Sequence, residues 1–239
     1  MSSTNTAIEW TDKTWNPTVG CNKVSPGCKH CYAETLTKRF HQHFPTGFEF
    51  TLHHERLDEP RRWRKPSRVF VNSMSDLFHE EMPLDFLNQV FEVMAECPRH
   101  IFQILTKRHE RLAELAPDLP WPPNVWQGVS IENRRFIHRA DYLRQVPAAV
   151  RFISAEPLLG PLEGLDLDGI HWLIAGGESG QRHRPVREEW ILDLRDRCLQ
   201  EGVAFFFKQW GGRTSKSGGR LLAGRTWDEM PFPSARLVG

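Results

Sequence analysis

Three cysteines lie within eleven residues of one another in the first part of the chain. Cys21, Cys28 and Cys31 follow the spacing C-x6-C-x2-C, and the Asn, Lys, Ser, Pro and Gly residues between them are typical of a loop. Thiolates that share one loop are ligands for a soft metal centre. The spacing therefore predicts a metal site on this loop.

Two kinds of metal site suit three cysteines. A structural zinc ion needs a fourth ligand, for which the candidates are His30, His41 and His43. A [4Fe–4S] cluster held by three cysteines leaves one iron open to a ligand that is not protein. The cluster is favoured, because the cysteines precede a long pattern of alternating strands and helices and do not form a compact finger.

Two further cysteines, Cys97 and Cys198, stand alone in segments with the apolar periodicity of helices. An unpaired cysteine among apolar neighbours acts as a small buried hydrophobic residue. The odd number of cysteines, with three of them clustered, argues against a disulfide framework.

The elements that position the cysteines follow from short apolar runs that alternate with helical patterns. A short strand is predicted before Cys21, and six more are predicted at 68–72, 100–105, 125–129, 151–154, 171–175 and 203–207. Helices are predicted at 84–96, 108–115, 133–144 and 188–201. This alternation is typical of right-handed βαβ units and a parallel sheet.

About six to seven parallel strands predict an α/β fold of the partial (βα) barrel type, with an open doubly wound sheet as the alternative. No linker rich in Ser or Gly divides the chain. We therefore expect one domain over residues 1–239, with 212–239 as a carboxyl-terminal loop and cover. In both folds, ligands bind at the carboxyl ends of the strands.

Polar residues and glycines that follow the predicted strands are the candidates for holding a cofactor. Together with the aromatic ring beside the last cysteine, they are Tyr32, Asn72, Ser73, Asp76, Ser154, Glu156, Gly176, Gly177, Glu178 and Lys208. Other roles are open for some of them: Asp76 suits the cap of the next helix, Gly177 a tight turn and Lys208 a solvent-facing cation.

A short basic segment contains Arg61, Arg62, Trp63 and Arg64. Cations around an aromatic ring are typical of surfaces that bind single-stranded nucleic acid, and such runs also occur on ordinary solvated faces. The net charge of the whole chain does not indicate nucleic-acid binding, because 31 Lys and Arg nearly balance 30 Asp and Glu over 239 residues. Nucleic-acid contact is therefore a hypothesis about this segment alone.

Several motifs resemble those of known families. The cysteine loop resembles that of radical S-adenosylmethionine enzymes, whose usual spacing is C-x3-C-x2-C and whose loop also follows the first strand of a partial barrel. A nearer resemblance, over almost the whole chain, is to a phage-associated family of unknown function with a three-cysteine motif. It rests on IEWTD at 8–12, WNP at 15–17, GCKHCYAE at 27–34, SAEPLLG at 154–160, GGESG at 176–180 and FKQWG at 207–211.

The resemblance implies a radical-SAM-like fold in which Cys21, Cys28 and Cys31 ligate a [4Fe–4S] cluster and S-adenosyl-L-methionine binds the fourth iron. It implies an enzyme that needs an electron donor. Phage association and the basic segment point to a nucleotide, a nucleic acid or a nucleic-acid lesion as substrate, hence to DNA repair or nucleic-acid modification.

The alternative is a non-enzymatic zinc-binding module that binds nucleic acid or a protein partner. In either case we expect a cytoplasmic protein without a membrane contact, because no run approaches the ~18 apolar residues of a membrane span.

Overall fold

The computed structural model describes residues 6–214 and 217–231, and within them the chain forms nine strands and five α-helices. The strands are β1 (Lys13–Trp15), β2 (Thr18–Val19), β3 (Thr51–Leu52), β4 (Arg68–Val71), β5 (Ile101–Thr106), β6 (Val125–Ser130), β7 (Val150–Ala155), β8 (Trp172–Gly176) and β9 (Ala204–Gln209). The helices are α1 (Tyr32–Arg39), α2 (Leu84–Glu96), α3 (His109–Leu115), α4 (Arg139–Arg144) and α5 (Glu188–Glu201).

Seven of these strands form one parallel sheet in the order β1-β4-β5-β6-β7-β8-β9. Each strand of the sheet pairs with the next one along the chain, so the strand order never reverses as it does in a doubly wound sheet. β2 and β3 form a separate antiparallel pair. The predicted partial barrel is confirmed: the seven parallel strands form a curled half-barrel.

Helices cover the outer face of this sheet. α2 has the predicted apolar stripe, and its Leu87, Val90 and Phe91 are fully buried in the outer core. Cys97 and Cys198 are buried in the same core, as predicted. The described segment from β7 to β8 contains no α-helix. Its leucines fill the space in the outer core that a helix would occupy; they are Leu158, Leu162, Leu165 and Leu167.

The helix predicted at 133–144 is shorter than the sequence pattern indicates. The side chain of Asn133 accepts a hydrogen bond from the backbone N–H of Arg135 and so caps a short 3-10 turn, Arg134–Phe136. The α-helix begins only at Arg139. The prediction was wrong at this end, because an Asn cap starts either kind of helix and the apolar spacing does not distinguish them.

Aromatic side chains fill the inner face of the half-barrel. Trp10, Trp126, Phe152, Trp172 and Phe206 pack there in one cluster. Gly128 on β6 makes room for them, because a Cβ at this position would overlap the ring of Phe152. Polar residues follow closer to the carboxyl ends of the strands, so the interior has an aromatic floor beneath a polar mouth.

The described part of the predicted carboxyl-terminal cover packs on β9. The backbone N–H of Phe207 donates to the carbonyl of Trp227 at 2.9 Å, and Leu222 and Trp227 are buried in the outer core. This pairing covers the free edge of the last strand. Residues 215–216 and 232–239 of the predicted cover lie outside the described residues. None of the described helices has the length and apolar composition that crossing a bilayer requires.

Candidate active site

The cysteine loop, residues 20–31, lies over the carboxyl ends of the strands. At its start, the N–H of Gly20 donates to the carbonyl of Met74, in the loop after β4, at 3.0 Å. Gly20 has a φ of +93°, and a Cβ there would overlap the carbonyl oxygen of Glu49. Only glycine allows this crossing.

Near Cys21, the cysteine loop is tied to the segments that follow β4 and β5. Asn22 donates from Nδ2 to Oε1 of Glu80 at 2.5 Å and accepts a hydrogen bond from Arg108. Arg108 also donates to Glu80 at 3.1 Å. These three side chains form the first anchor of the loop.

A buried ion pair forms the second anchor, next to Cys28. Glu132, after β6, has no exposed surface and accepts a hydrogen bond at 3.0 Å from Arg139, which is 2% exposed. Ser25 donates to the other carboxylate oxygen of Glu132 at 2.5 Å. A Cβ on Gly27 would lie 2.5 Å from that same oxygen, so the loop packs directly on this carboxylate.

The third anchor joins His30, between the second and third cysteines, to the loop after β8. Nδ1 of His30 lies 3.2 Å from Oε2 of Glu178, which also accepts hydrogen bonds from the backbone N–H and the guanidinium of Arg184. Burial disfavours the charged form of Glu178, but the hydrogen bonds from Arg184 and His30 outweigh it and lower the pKa of this carboxyl. The carboxylate of Glu178 therefore holds the loop.

The three thiols are free and partly buried at the mouth of the half-barrel. Burial raises the pKa of Cys21 to about 11, and the charge of Asp76 adds to this, while Arg108, 3.8 Å from the sulfur, lowers it. As a donor set, three free thiols on one loop fit a [4Fe–4S] cluster. Among the residues that the structure describes, no three Cys, His, Asp or Glu side chains are close enough together to hold a metal ion. The thiols therefore have to converge for binding.

The histidines considered as zinc ligands lie elsewhere or are engaged. His41 and His43 are exposed on a 3-10 turn, His41–His43, beyond the end of α1. His30 is the one of the three inside the loop, and its Nδ1 faces Glu178. A Cys3His zinc site would need one of these side chains to leave its present position.

Asn72 is the most unusual residue at the mouth. It directly follows β4, lies in the left-handed region with a φ of +60°, and is only 2% exposed. Neither its amide nitrogen nor its amide oxygen has a hydrogen-bond partner among the described residues. A buried amide without partners costs roughly 1–3 kcal/mol, so both polar atoms of this side chain are available to a polar partner such as water or a ligand.

The residues beside Asn72 are ordered by the protein itself. Asn16 accepts hydrogen bonds from the hydroxyl of Ser73 at 3.1 Å and from the N–H of Met74 at 3.0 Å. The hydroxyl of Tyr32 donates to the carbonyl of Ser73. Two predicted cofactor residues, Ser73 and Tyr32, are thus joined next to Asn72.

Other predicted residues meet on the opposite side of the mouth. Nζ of Lys208, on β9, lies 2.6 Å from Oε1 of Glu156, which follows β7. A Cβ on Gly176 would be 3.3 Å from the same oxygen, and Ser154 is buried at the end of β7. Lys208, for which a solvent-facing position was the alternative, is therefore part of an ion pair at the mouth.

Two further predicted residues, Gly177 and Asp76, have structural partners within the protein. A Cβ on Gly177 would overlap the carbonyl oxygen of Trp210, so this glycine permits contact between two chain segments. Asp76 accepts hydrogen bonds from the hydroxyl of Thr106 at 2.7 Å and the N–H of Lys107 at 3.1 Å. The alternative of a helix cap is wrong for Asp76, because α2 has Pro83 at its N-cap and no side-chain cap.

The basic segment lies at the amino-terminal end of β4, on the edge of the sheet opposite the cysteine loop. Trp63 packs edge-on against His100 with ring centroids 5.7 Å apart, and Arg61 forms ion pairs with Asp58 and Glu96. Trp63 and Arg64 line a cavity of about 360 Å³ there. Arg61, Arg62, Trp63 and Arg64 are thus separated from the mouth, and their contact with nucleic acid stays a prediction.

Apart from Glu178 and His30, the residues that anchor the cysteine loop were not predicted as site residues. Glu132 follows a predicted strand within the sequence SIEN, and this was the one local signal available for it. Arg139 and Arg184 gave no signal, because an arginine in an amphipathic or loop segment is ordinarily solvated.

Comparisons with known proteins agree with the fold. A model of the family described as "protein of unknown function (DUF5131)" matches residues 5–231. A search of curated proteins finds no match. Among solved structures, spore photoproduct lyase complexed with dinucleoside spore photoproduct matches with a TM-score of 0.50 and 15% identity, over 70% of this chain and 56% of that one.

Two mutants of spore photoproduct lyase match in a similar way. A double mutant with bound AdoMet and dinucleoside spore photoproduct has a TM-score of 0.48 at 16% identity, over 70% of this chain and 56% of that one. A single mutant, in which an alanine replaces a cysteine, was solved with dinucleoside spore photoproduct and has a TM-score of 0.49 at 17% identity, over 70% and 55%. The match spans little more than half the length of each lyase chain.

Proposed function

The chain belongs to this DUF5131 family of unknown function, and we propose that it is an enzyme of the radical S-adenosylmethionine type. In this proposal Cys21, Cys28 and Cys31 hold a [4Fe–4S] cluster, and S-adenosylmethionine occupies the polar mouth. The observation that carries the proposal is the position of the cysteine loop. Its three anchors hold the loop that carries three free thiols at the carboxyl edge of a half-barrel, where such folds bind ligands.

Cys21, Cys28 and Cys31 would hold the [4Fe–4S] cluster, which would supply the electron for reductive cleavage of S-adenosylmethionine and so the radical chemistry of the proposal. The protein's own residues prepare this chemistry. Arg108 lies beside Cys21 and favours the thiolate that iron requires. The aromatic floor of Trp126, Phe152 and Trp172 closes the interior below the mouth and excludes water from that side.

Asn72 and the pair of Lys208 and Glu156 are the groups that we assign to cofactor binding. The amide of Asn72 offers an unused donor and an unused acceptor, which suits the amine and carboxylate of a methionine moiety. Lys208 is a cation that a ligand carboxylate can approach, with Glu156 holding it in place. We assign Glu178 to positioning of the cysteine loop, because its carboxylate is already bonded to Arg184 and His30.

For the substrate we propose a nucleotide, a nucleic acid or a nucleic-acid lesion. The lyase with the 0.50 TM-score was solved with dinucleoside spore photoproduct, which supports a substrate of that chemical class. Lys107 and Arg108 also add positive charge at the end of β5, beside the mouth, where a phosphate backbone could approach. An electron donor, and with it a partner protein, follows from the same proposal.

The proposal is tested by anaerobic reconstitution with iron and sulfide. We expect a brown protein with about four irons per chain, and release of 5′-deoxyadenosine when reductant and S-adenosylmethionine are added. Cys28→Ala should lose the iron, because each thiolate holds its own iron. Cys198→Ala should keep it, since that thiol is buried in the outer core.

Three results would contradict the proposal. Colourless protein with one zinc per chain would favour the zinc-binding module instead. Full iron content in Cys21→Ala, Cys28→Ala and Cys31→Ala would remove the cluster from this loop. A brown wild-type protein that releases no 5′-deoxyadenosine would leave the cluster without the radical chemistry.

A further inference from the structure

A cavity of about 340 Å³ lies beside the mouth, between the cysteine loop and the segments that follow β5 and β6. Val24 of the cysteine loop and Phe136 form apolar parts of its wall. Four cationic side chains line it, and we call the cavity the basic pocket: Lys107, Arg108, Arg111 and Arg139.

The guanidinium of Arg139 is held in the wall of the basic pocket with one N–H group unused. The side chain is 2% exposed, and its Nη1 donates to the carbonyl of Ser130 at 2.7 Å and to Glu132 at 3.0 Å. Its Nε has no hydrogen-bond partner among the described residues. A buried donor of a charged group is costly to leave unpaired, so an acceptor that reached this N–H would stabilise the guanidinium.

Arg108 and Arg111 repeat this arrangement. Arg108, whose side chain is 9% exposed, uses its terminal nitrogens for Glu80 and Asn22. Arg111 donates from Nη2 to the carbonyl of Met82 at 2.9 Å. In the described part of the chain, the Nε atoms of both are buried without a partner. Three arginines with an unused N–H thus line one cavity.

The carboxylates around the basic pocket leave two of its cations without a counter-charge. Glu80 is paired with Arg108 and Glu132 with Arg139, while Glu110 is exposed. Within residues 6–214 and 217–231, Lys107 and Arg111 have no carboxylate partner. Lys107 donates to the neutral hydroxyl of Ser130 at 3.1 Å, and Arg111 to a carbonyl.

We infer that the basic pocket binds a phosphate group, carried by a nucleotide or by a nucleic-acid strand. A phosphate offers several oxygens to guanidinium N–H groups that approach from different sides, and arginine is suited to this contact. The inference of a phosphate site does not depend on the iron–sulfur cluster. The role of the site in placing a substrate next to Cys21, which Arg108 also contacts, rests on the proposed function.

The test is calorimetric titration of the full chain, without metal, at low salt. The probes are inorganic phosphate, thymidine 5′-monophosphate, a single-stranded oligothymidylate and, as the probe without phosphate, thymidine. Arg111→Gln removes one pocket cation, and Arg135→Gln removes one exposed cation after β6 that does not line the pocket. We expect Arg111→Gln to lower the affinity for the phosphate-bearing probes about tenfold and Arg135→Gln to change that affinity less than about twofold.

The probes distinguish the two sources of the phosphate. The pocket is assigned to a strand if the oligothymidylate binds more tightly than the monophosphate and if Arg111→Gln makes the slope of the logarithm of its binding constant against the logarithm of the salt concentration shallower by about 0.7. Tighter binding of the monophosphate assigns it to a nucleotide. Arg111→Lys should fall between wild type and Arg111→Gln, because it keeps the charge and loses the planar donor group.

The inference is overturned if Arg111→Gln, folded by circular dichroism, binds every phosphate probe as tightly as Arg135→Gln does. It is also overturned if thymidine binds as well as its monophosphate, or if no phosphate probe binds to wild type. None of these results affects the release of 5′-deoxyadenosine. A protein that binds phosphate and forms no 5′-deoxyadenosine would conversely refute the proposed function alone.

Discussion

Glu132 allows the strongest test of how the cysteine loop is held. The Glu132→Gln substitution keeps the shape of the side chain and removes its charge. It leaves Arg139, which is 2% exposed, without its counter-ion, and it weakens the hydrogen bond from Ser25. Breaking a buried ion pair in this way costs roughly 3–5 kcal/mol, because an uncompensated charge stays in the interior.

The expected loss is measurable by urea denaturation and by thermal unfolding. For a chain of this size, 1 kcal/mol corresponds to about 2 °C in Tm, so the Tm should fall by roughly 6–10 °C. The slope of the unfolding free energy against urea concentration should not change, because the substitution does not alter the surface exposed on unfolding. Cys28 should also react faster with a thiol reagent, because Ser25 and Gly27 lose the carboxylate on which they pack.

Two controls separate this mechanism from a general effect of charge removal. Glu163→Gln breaks the pair with Arg134, where the nearest atoms are 3.7 Å apart and both side chains are exposed, so it should cost less than about 1 kcal/mol. Combining Glu132→Gln with Arg139→Met removes both charges and should recover part of the lost stability. A loss below about 1 kcal/mol for Glu132→Gln, or no recovery in the double variant, would refute the reasoning.

Three further predictions concern the mouth and the opposite edge. Asn72→Gly should stabilise the protein by about 1 kcal/mol, because it relieves a left-handed φ and removes an unpaired amide. The same substitution should weaken S-adenosylmethionine binding measured by calorimetry. Ala223→Gly, at an exposed residue with a φ of +49°, should leave that binding unchanged. Because the pKa of Glu178 is lowered in the folded protein, its pairing stabilises the fold above the ordinary carboxyl pKa, and this stabilisation is lost as the pH falls through the lowered value. Glu178→Gln should therefore reduce stability at pH 7 and flatten the acid limb of a plot of Tm against pH. An unchanged acid limb would contradict this reasoning. If the basic segment binds single-stranded DNA, Trp63→Ala should weaken binding without changing how steeply the logarithm of the binding constant falls with the logarithm of the salt concentration, whereas Arg62→Gln should make that slope shallower. Equal binding by wild type and both variants would identify a solvated face.

The strands and most helices follow from the sequence because local patterns determine them. β6 is buried along its whole length, as strands of a parallel sheet covered on both faces are, and its apolar run predicted it. α2 carries an apolar face with helical spacing. The order of the strands agrees with the predicted partial barrel, in which short connections place consecutive parallel strands side by side, and not with the alternative of a doubly wound sheet.

The anchors of the cysteine loop could not be predicted, because they join residues far apart in the chain. Ser25 and Glu132 are 107 positions apart, and His30 and Glu178 are 148 apart. No local pattern distinguishes a glutamate that ends a strand and binds a ligand from one that binds a loop. Glu178 illustrates this: the sequence suggests a contact with the cofactor, whereas the fold supplies Arg184 as its partner.

The six-residue gap between Cys21 and Cys28 has a structural use. Radical S-adenosylmethionine enzymes usually have three residues there, so this loop is longer by three. The six residues of the gap contribute to two of the three anchors: Asn22 bonds to Glu80 and Arg108, and Ser25 bonds to Glu132. The unusual spacing therefore fits a cysteine loop that is stretched across the mouth and fixed at both ends, with the basic pocket beneath its Val24.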